Sequence, residues 1–172
     1  MNILTRRQKL LLEFVKKQHG EQKRKYTGEP YWTHPLEVAT ILHDNGLFNM
    51  VELALCHDLY EDTKCNFDSL YKELLRLDYC NVNAYNICKQ VQELTDVFTH
   101  EDYPYINRLK RKQKEAKRLG NVSFKAQTVK YADLISNTKS IVENDPKFAV
   151  VYLKEKKQML NIMTGGDAAL FQ

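Results

Sequence analysis

The sequence predicts an all-α fold, a compact bundle of eight or more helices. Proline and glycine are sparse, at 4 and 6 of 172 residues, and the helix-favouring residues Leu, Lys, Glu and Gln are abundant. Apolar residues recur at helical spacing rather than in alternation, as in Leu10, Leu11, Phe14 and Val15. Because a chain of this length is typical of one hydrophobic core, we expect a single domain over residues 1–172.

Start and stop signals place the helices in order. Thr5 and Gln8 have the spacing of a capping box, and the first helix is expected to end near Gly20. A basic loop over residues 21–33 follows, and a helix is predicted from His34-Pro35 to Asn45-Gly46. Further helices are predicted over residues 49–62, after Asn66, over residues 82–94, from Ser123, and from Asp145-Pro146 to Gly165-Gly166, with a tail after Thr164 that is expected to fray.

Charge and cysteine content indicate the cellular compartment and the kinds of partner to expect. The net charge is +4, with basic clusters at residues 16–25 and 110–118. Such clusters favour a polyanionic partner, although solvated helix faces look the same. The four cysteines lack C-x-x-C spacing and no apolar run has the length of a membrane span. We therefore expect reduced thiols, a cytoplasmic location and no membrane partner.

A His-Asp-x-x-Glu-Asp pattern ends the helix predicted over residues 49–62. That helix is apolar on nearly every side, which is typical of a core helix, so charged groups at its end need compensation. Helical spacing places Glu61 one turn beyond His57, and Asp62 one turn beyond Asp58. A divalent cation bound at His57 and Asp58 would relieve the repulsion among the acids. The alternative is a polar helix end in solvent, although acids there oppose the helix dipole.

Comparison within the sequence shows that the dipeptide alone is weak evidence. His43-Asp44 is followed directly by Asn45-Gly46, and no acid lies one turn later. We interpret it as the end of a helix. His100 and its acidic neighbours are interpreted as a polar loop.

Two further residues are suited to complete a metal site. His34 lies at the start of a predicted helix, and Asp133 is an isolated acid on an apolar helical face, where an acid normally has a partner. Each alone is more often a hydrogen-bonded structural residue. Together with His57 and Asp58 they form a mixed nitrogen and oxygen set suited to a hard or borderline divalent ion.

These stretches resemble the HD superfamily of metal-dependent phosphohydrolases, and in particular the hydrolase domain of RelA/SpoT-type proteins and the stand-alone small alarmone hydrolases of the Mesh type. The similar stretches occur in family order and read HGEQKRKYTGEPYWTHP from His19, ALCHDLYEDT from Ala54, ELTD from Glu93 and VKYADLISN from Val129. The fold that the resemblance implies is a compact HD-domain helical bundle. The segment 103–121 matches poorly apart from Arg111-Lys112.

The resemblance also implies roles, position by position. The metal ligands would be His34, His57, Asp58 and Asp133, with Mn²⁺ as the ion, and the catalytic pair would be Glu61 and Asp62. The substrate-binding residues would be Arg24, Lys25, Asn137 and Ser140, together with Arg111 and Lys112.

The implied activity is removal of the 3′-pyrophosphate from ppGpp or pppGpp, an alarmone of the stringent response, which yields GDP or GTP and pyrophosphate. One alternative is the same chemistry on another nucleotide, such as the 2′-phosphate of NADPH or an adenosine alarmone. A second is a catalytically idle binder of nucleotides or RNA, suggested by the basic run at 110–118. Intact Glu61 and Asp62 count against it, so nucleic acid is not the expected partner. A homo-oligomer is compatible with the sequence.

Overall fold

The computed structural model describes residues 3–172, and these are helical, in agreement with the predicted fold class. The helices are α1 (Arg6–His19), α2 (Thr33–Asp44), a 3₁₀ helix (Phe48–Met50), α3 (Val51–Cys56), α4 (Leu59–Asp62), α5 (Phe67–Arg76), α6 (Asn81–Leu94), α7 (Arg108–Leu119), α8 (Phe124–Asn144), α9 (Pro146–Leu160) and α10 (Ala168–Phe171). Among the described residues the only β-type pairing is an isolated bridge between Lys23 and Pro30.

Local capping explains where several helices begin. Thr5 and Gln8 form a reciprocal capping box at α1, and Gly20 follows its last residue with a φ of 52°. The side chains of Asn66, Ser123 and Asp145 accept hydrogen bonds from the first turns of α5, α8 and α9. These helix starts confirm the predictions made from the sequence.

The chain forms two compact units, Met1–Thr95 and Asp96–Gln172. In the first unit α3 lies against α1, α2 and α6, and α5 packs on α6. All of α3 except Glu52 is buried, as predicted for a core helix. The residues at the end of α3 therefore emerge from the apolar interior of this unit.

In the second unit α9 packs against α7 and α8, and α10 packs against α8. Its apolar core contains Ala116, Leu119, Tyr131, Leu134, Met159 and Met163. The Tyr131 hydroxyl donates a hydrogen bond of 2.6 Å to the Met163 carbonyl, which satisfies a buried polar group.

The structure corrects two predicted helix boundaries. The helix predicted over 49–62 is interrupted at His57-Asp58, and the helix expected to reach Gly165 ends at Leu160. The tail after Thr164 is hydrogen-bonded to α8, since the amides of Gly165 and Asp167 donate to side chains of that helix at 2.9 Å each.

Two smaller expectations concern thiols and membranes. The four cysteines are free, as predicted. In the part of the chain that the structure describes, no helix combines the length and hydrophobicity needed to cross a bilayer.

The single-domain organisation stays a prediction, and equilibrium unfolding tests it. We expect urea unfolding followed by Trp32 fluorescence and by far-ultraviolet circular dichroism to give one coincident transition. Trp32 is the only tryptophan and lies in the first unit, whereas the dichroism reports helices of both units. Two separated midpoints would contradict the prediction.

Candidate active site

The junction between α3 and α4 presents the first pair of predicted ligands. His57 is 2% exposed, and its Nδ1 lies 2.7 Å from the Ala54 carbonyl. A carbonyl can only accept, so Nδ1 carries the proton and donates. In an uninterrupted helix this carbonyl would accept from the Asp58 amide. Competition from the imidazole accounts for the break, where Asp58 has a ψ of −3°.

The Asp58 carboxylate lies between two imidazoles. Its Oδ1 is 3.1 Å from His57 Nε2, and its Oδ2 is 3.6 Å from His34 Nε2. The two rings meet edge to face, with centroids 5.3 Å apart, and all three side chains are buried. The structure thus brings His34, held in the first turn of α2, to the His57-Asp58 pair.

This donor set fits a divalent cation. When His57 is neutral, with its proton on Nδ1, the lone pair of Nε2 points toward a carboxylate oxygen. Two acceptors this close repel each other unless a proton or a cation lies with them. Two imidazole nitrogens and a carboxylate are ligands typical of Mn²⁺, Zn²⁺ and similar ions, and a backbone hydrogen bond on the other ring nitrogen is the usual arrangement for such a histidine.

Tyr31 contacts this cluster, although no role was predicted for it from the sequence. Its hydroxyl donates a hydrogen bond of 2.8 Å to Asp58 Oδ2. Burial, and then the charges of Asp58 and Asp62, raise the pKa of Tyr31, so the phenol keeps its proton. His19, which is buried, faces the Tyr31 ring at 4.9 Å between centroids. Both residues lie in the first similar stretch, the one signal that could have drawn attention to them.

Asp62 lies beside the same cluster, one turn beyond Asp58 on α4. Burial of its carboxyl group and the nearby charge of Asp58 raise its pKa, and the nearby Tyr31 hydroxyl opposes this. By surface area, however, both Asp62 and Glu61 are exposed residues. An acid that borders the cluster and still reaches solvent can exchange protons between the two.

The basic loop after α1 is held in place by its own contacts. Arg24 donates to Glu37 of α2 at 2.9 Å, and its backbone amide donates to the Glu29 carbonyl. The Lys25 ammonium lies over the Tyr26 ring, 4.8 Å from its centroid. The side chain of Arg24 is mostly buried, whereas Lys25 is exposed. The loop therefore presents its cations from a fixed backbone.

In the second unit, Asp133 is buried on α8 and has the partners that its position led us to expect. Lys130 contacts Oδ2 at 2.9 Å, and the Asn137 amide donates to Oδ1. Asn137 and Ser140 follow Asp133 by four and seven residues, so they share one face of α8. Lys130 had no role predicted from the sequence, although it lies one turn before Asp133.

The other predicted substrate residues lie on α7 and are engaged within the second unit. The Arg111 guanidinium donates to the Ile106 carbonyl. Lys112 pairs with Asp96 at 3.0 Å. Burial raises the pKa of Asp96, but Lys130 and Lys112 lower it by more, so the pKa lies below its usual range. Both basic residues are half-buried, and each has a structural contact.

The His43-Asp44 dipeptide lies at the end of α2, as predicted from the sequence. The His43 ring contacts Asp44 at 3.2 Å and packs edge to face with Phe48. It supplies a natural comparison for variants of His57-Asp58.

Curated relatives are similar in sequence to this chain over most of its length. It is 32% identical to the Xenopus tropicalis guanosine-3′,5′-bis(diphosphate) 3′-pyrophosphohydrolase MESH1 over 145 residues, which are 80% of this chain and 73% of that protein. The Homo sapiens MESH1 is 30% identical, covering 78% of this chain and 69% of the relative. A 63-residue stretch is 51% identical to the Aquifex aeolicus guanosine-3′,5′-bis(diphosphate) 3′-pyrophosphohydrolase, of which the chain spans 8%.

A solved structure supports the same fold. It is that of a metazoan ortholog of SpoT that hydrolyses ppGpp and plays a role in starvation responses, with a TM-score of 0.76 at 23% identity, over 98% of this chain and 91% of that one. No protein-family model matches the chain. Fold and site define a helical hydrolase with a metal-type histidine and aspartate cluster. The chain belongs to the MESH1 family of guanosine-3′,5′-bis(diphosphate) 3′-pyrophosphohydrolases.

The Asp96 contacts predict how stability depends on pH. Because the folded-state pKa is lowered, the ionised carboxylate stabilises the fold above its unfolded pKa of about 3.9, and this contribution is lost as pH falls through the folded pKa. We expect Asp96→Asn to lower the free energy of unfolding at pH 7 by about 1–3 kcal/mol. The difference from wild type should shrink below pH 4 in urea titrations.

Glu143→Gln, at an exposed residue of α8, is the control and should change stability little at either pH. A deficit of Asp96→Asn that is the same at pH 3 and pH 7 would contradict the assignment of these charges.

Proposed function

We propose that this protein hydrolyses the 3′-pyrophosphate of ppGpp and pppGpp, giving GDP or GTP and pyrophosphate. The observation that carries the proposal is the buried cluster of His34, His57 and Asp58 in a chain that belongs to the MESH1 family. The relatives are named for this reaction.

The metal centre would use four ligands. His34, His57 and Asp58 are three of them, and Asp133 is proposed as the fourth. Asp133 is suited to this role because it is buried and its carboxylate is oriented by Lys130 and Asn137. Mn²⁺ is the proposed ion, since nitrogen and oxygen donors suit it. When bound, such an ion supplies Lewis-acid activation of water near neutral pH.

Two acidic residues of the chain would transfer the proton that the attacking water loses. Asp62 is proposed to take the proton from the attacking water, because its carboxyl group borders Asp58 and Tyr31 while the residue reaches solvent. Glu61, its neighbour on the exposed turn, is proposed to pass the proton on or to orient the water. Both acids lie on the short α4 helix, apart from the core helix α3.

Basic and polar residues would hold the phosphates and the nucleoside. Lys25 is exposed and Arg24 is oriented by Glu37, so this pair can neutralise charge on the phosphates. Asn137 and Ser140 would face the nucleotide from α8. Arg111 and Lys112 remain proposed contacts, and their pairing with Ile106 and Asp96 means that substrate would compete with existing partners.

Single-residue variants test the reaction and its metal. We expect Mn²⁺-loaded wild type to release pyrophosphate from 3′-labelled ppGpp, and Asp58→Ala to lose both metal and activity. Asp44→Ala, in the comparison dipeptide, should keep both. Parallel assays with NADPH and an adenosine alarmone decide the substrate. A folded, metal-loaded wild type that leaves ppGpp intact would refute the proposal.

A second pair of variants tests the acids. We expect Asp62→Asn to lower kcat by about 10²–10⁴-fold, the usual contribution of a general base, while Mn²⁺ affinity stays near that of wild type. Glu61→Gln, compared under the same conditions, ranks the two acids. An Asp62→Asn enzyme with wild-type kcat would remove Asp62 from the proton path.

A further inference from the structure

Tyr31 is tied to its surroundings at its backbone, its ring and its hydroxyl. Its amide donates to the Gln22 carbonyl at 2.8 Å, and its own carbonyl accepts from the His34 amide at 2.9 Å. Its ring lies against His19 and meets the His34 ring edge to face, with centroids 5.8 Å apart. These contacts fix where the hydroxyl points.

The hydroxyl is directed at Asp58. The O–H donates to Oδ2 at 2.8 Å, while Oδ1 lies 3.1 Å from His57 Nε2. A carboxylate at the end of a short side chain rotates readily about its terminal bond. A donor fixed on one oxygen therefore determines where the other oxygen lies.

We propose that Tyr31 is a positioning residue of the metal centre, whose hydroxyl fixes the Asp58 carboxylate so that Oδ1 stays beside His57 Nε2. The inference rests on the proposed metal centre. Outer hydrogen bonds of this kind orient ligands and reduce the entropy lost on metal binding, and their removal commonly weakens metal affinity.

The same residue joins the basic loop to the ligands. Tyr31 closes the loop by pairing with Gln22, next to the Lys23–Pro30 bridge, and Arg24 and Lys25 lie between these two ends. The hydrogen bond to Asp58 thus fixes the end of the loop against the metal centre. The principal effect of losing it should fall on metal affinity and kcat.

Tyr31→Phe removes the hydroxyl and keeps the ring contacts with His19 and His34. Tyr79→Phe is the matched control, because Tyr79 is a tyrosine of the same unit whose hydroxyl also donates to a carboxylate, that of Glu52, at 3.2 Å. Mn²⁺ Kd is measured by electron paramagnetic resonance of the free ion, with kcat and KM for ppGpp at saturating Mn²⁺ and with Tm from circular dichroism.

We expect Tyr31→Phe to raise the Mn²⁺ Kd by about 10–100-fold and to lower kcat more than it changes KM. Tyr79→Phe should leave the Kd and kcat at wild-type values, while both variants lower Tm to a similar extent.

A wild-type Mn²⁺ Kd in folded Tyr31→Phe would overturn the proposed role of Tyr31. It would not contradict the proposed metal centre. Equal weakening in Tyr79→Phe would also overturn the role of Tyr31, because the effect would then be general loosening. A wild type that binds no divalent ion would overturn the metal centre together with this inference.

Discussion

The cluster around Asp58 imposes the main physical constraint on the first unit. A carboxylate taken out of water is costly unless donors or a cation surround it. Here the Tyr31 hydroxyl donates to the carboxylate, and two imidazole nitrogens lie beside it, where a bound cation would link them to it. Each of these groups comes from an element that is itself held in place. His57 directly follows the buried α3, His34 lies in the first turn of α2, and Tyr31 lies in the loop before α2. The packing of α3 against α2 therefore also determines where the residues of the site lie.

The sequence predicted those features that depend on neighbours along the chain. Helix starts at Thr5, Asn66, Ser123 and Asp145 were predictable because a cap and its first turn lie within three residues. The break at His57-Asp58 was not, because it depends on which way an imidazole turns and which carbonyl it meets. Periodicity records where apolar residues recur and carries no information about such a competition.

The residues of the candidate site likewise include some that could be predicted from the sequence and some that could not. The His57-Asp58 pair could be predicted because acids at the end of a core helix create an electrostatic conflict that a cation resolves. Tyr31 could not, since its contact with Asp58 spans 27 positions of sequence. The contact of Lys130 with Asp133 could have been predicted from the sequence, because a lysine three residues before an aspartate on a helix commonly forms an ion pair with it. The pairing of Lys112 with Asp96 depends on how two segments of the second unit fold together.

The interruption between α3 and α4 has a consequence for how this protein can change. Five of the six residues of α3 are buried, whereas α4 carries Glu61 and Asp62 at the surface. A substitution in α3 acts mainly on how much native protein a cell retains, because it alters packing. A substitution of the exposed Glu61 or Asp62 in α4 leaves the amount of native protein almost unchanged and acts on the proposed chemistry instead. Selection can therefore adjust abundance and chemistry through adjacent but separate stretches of one polypeptide.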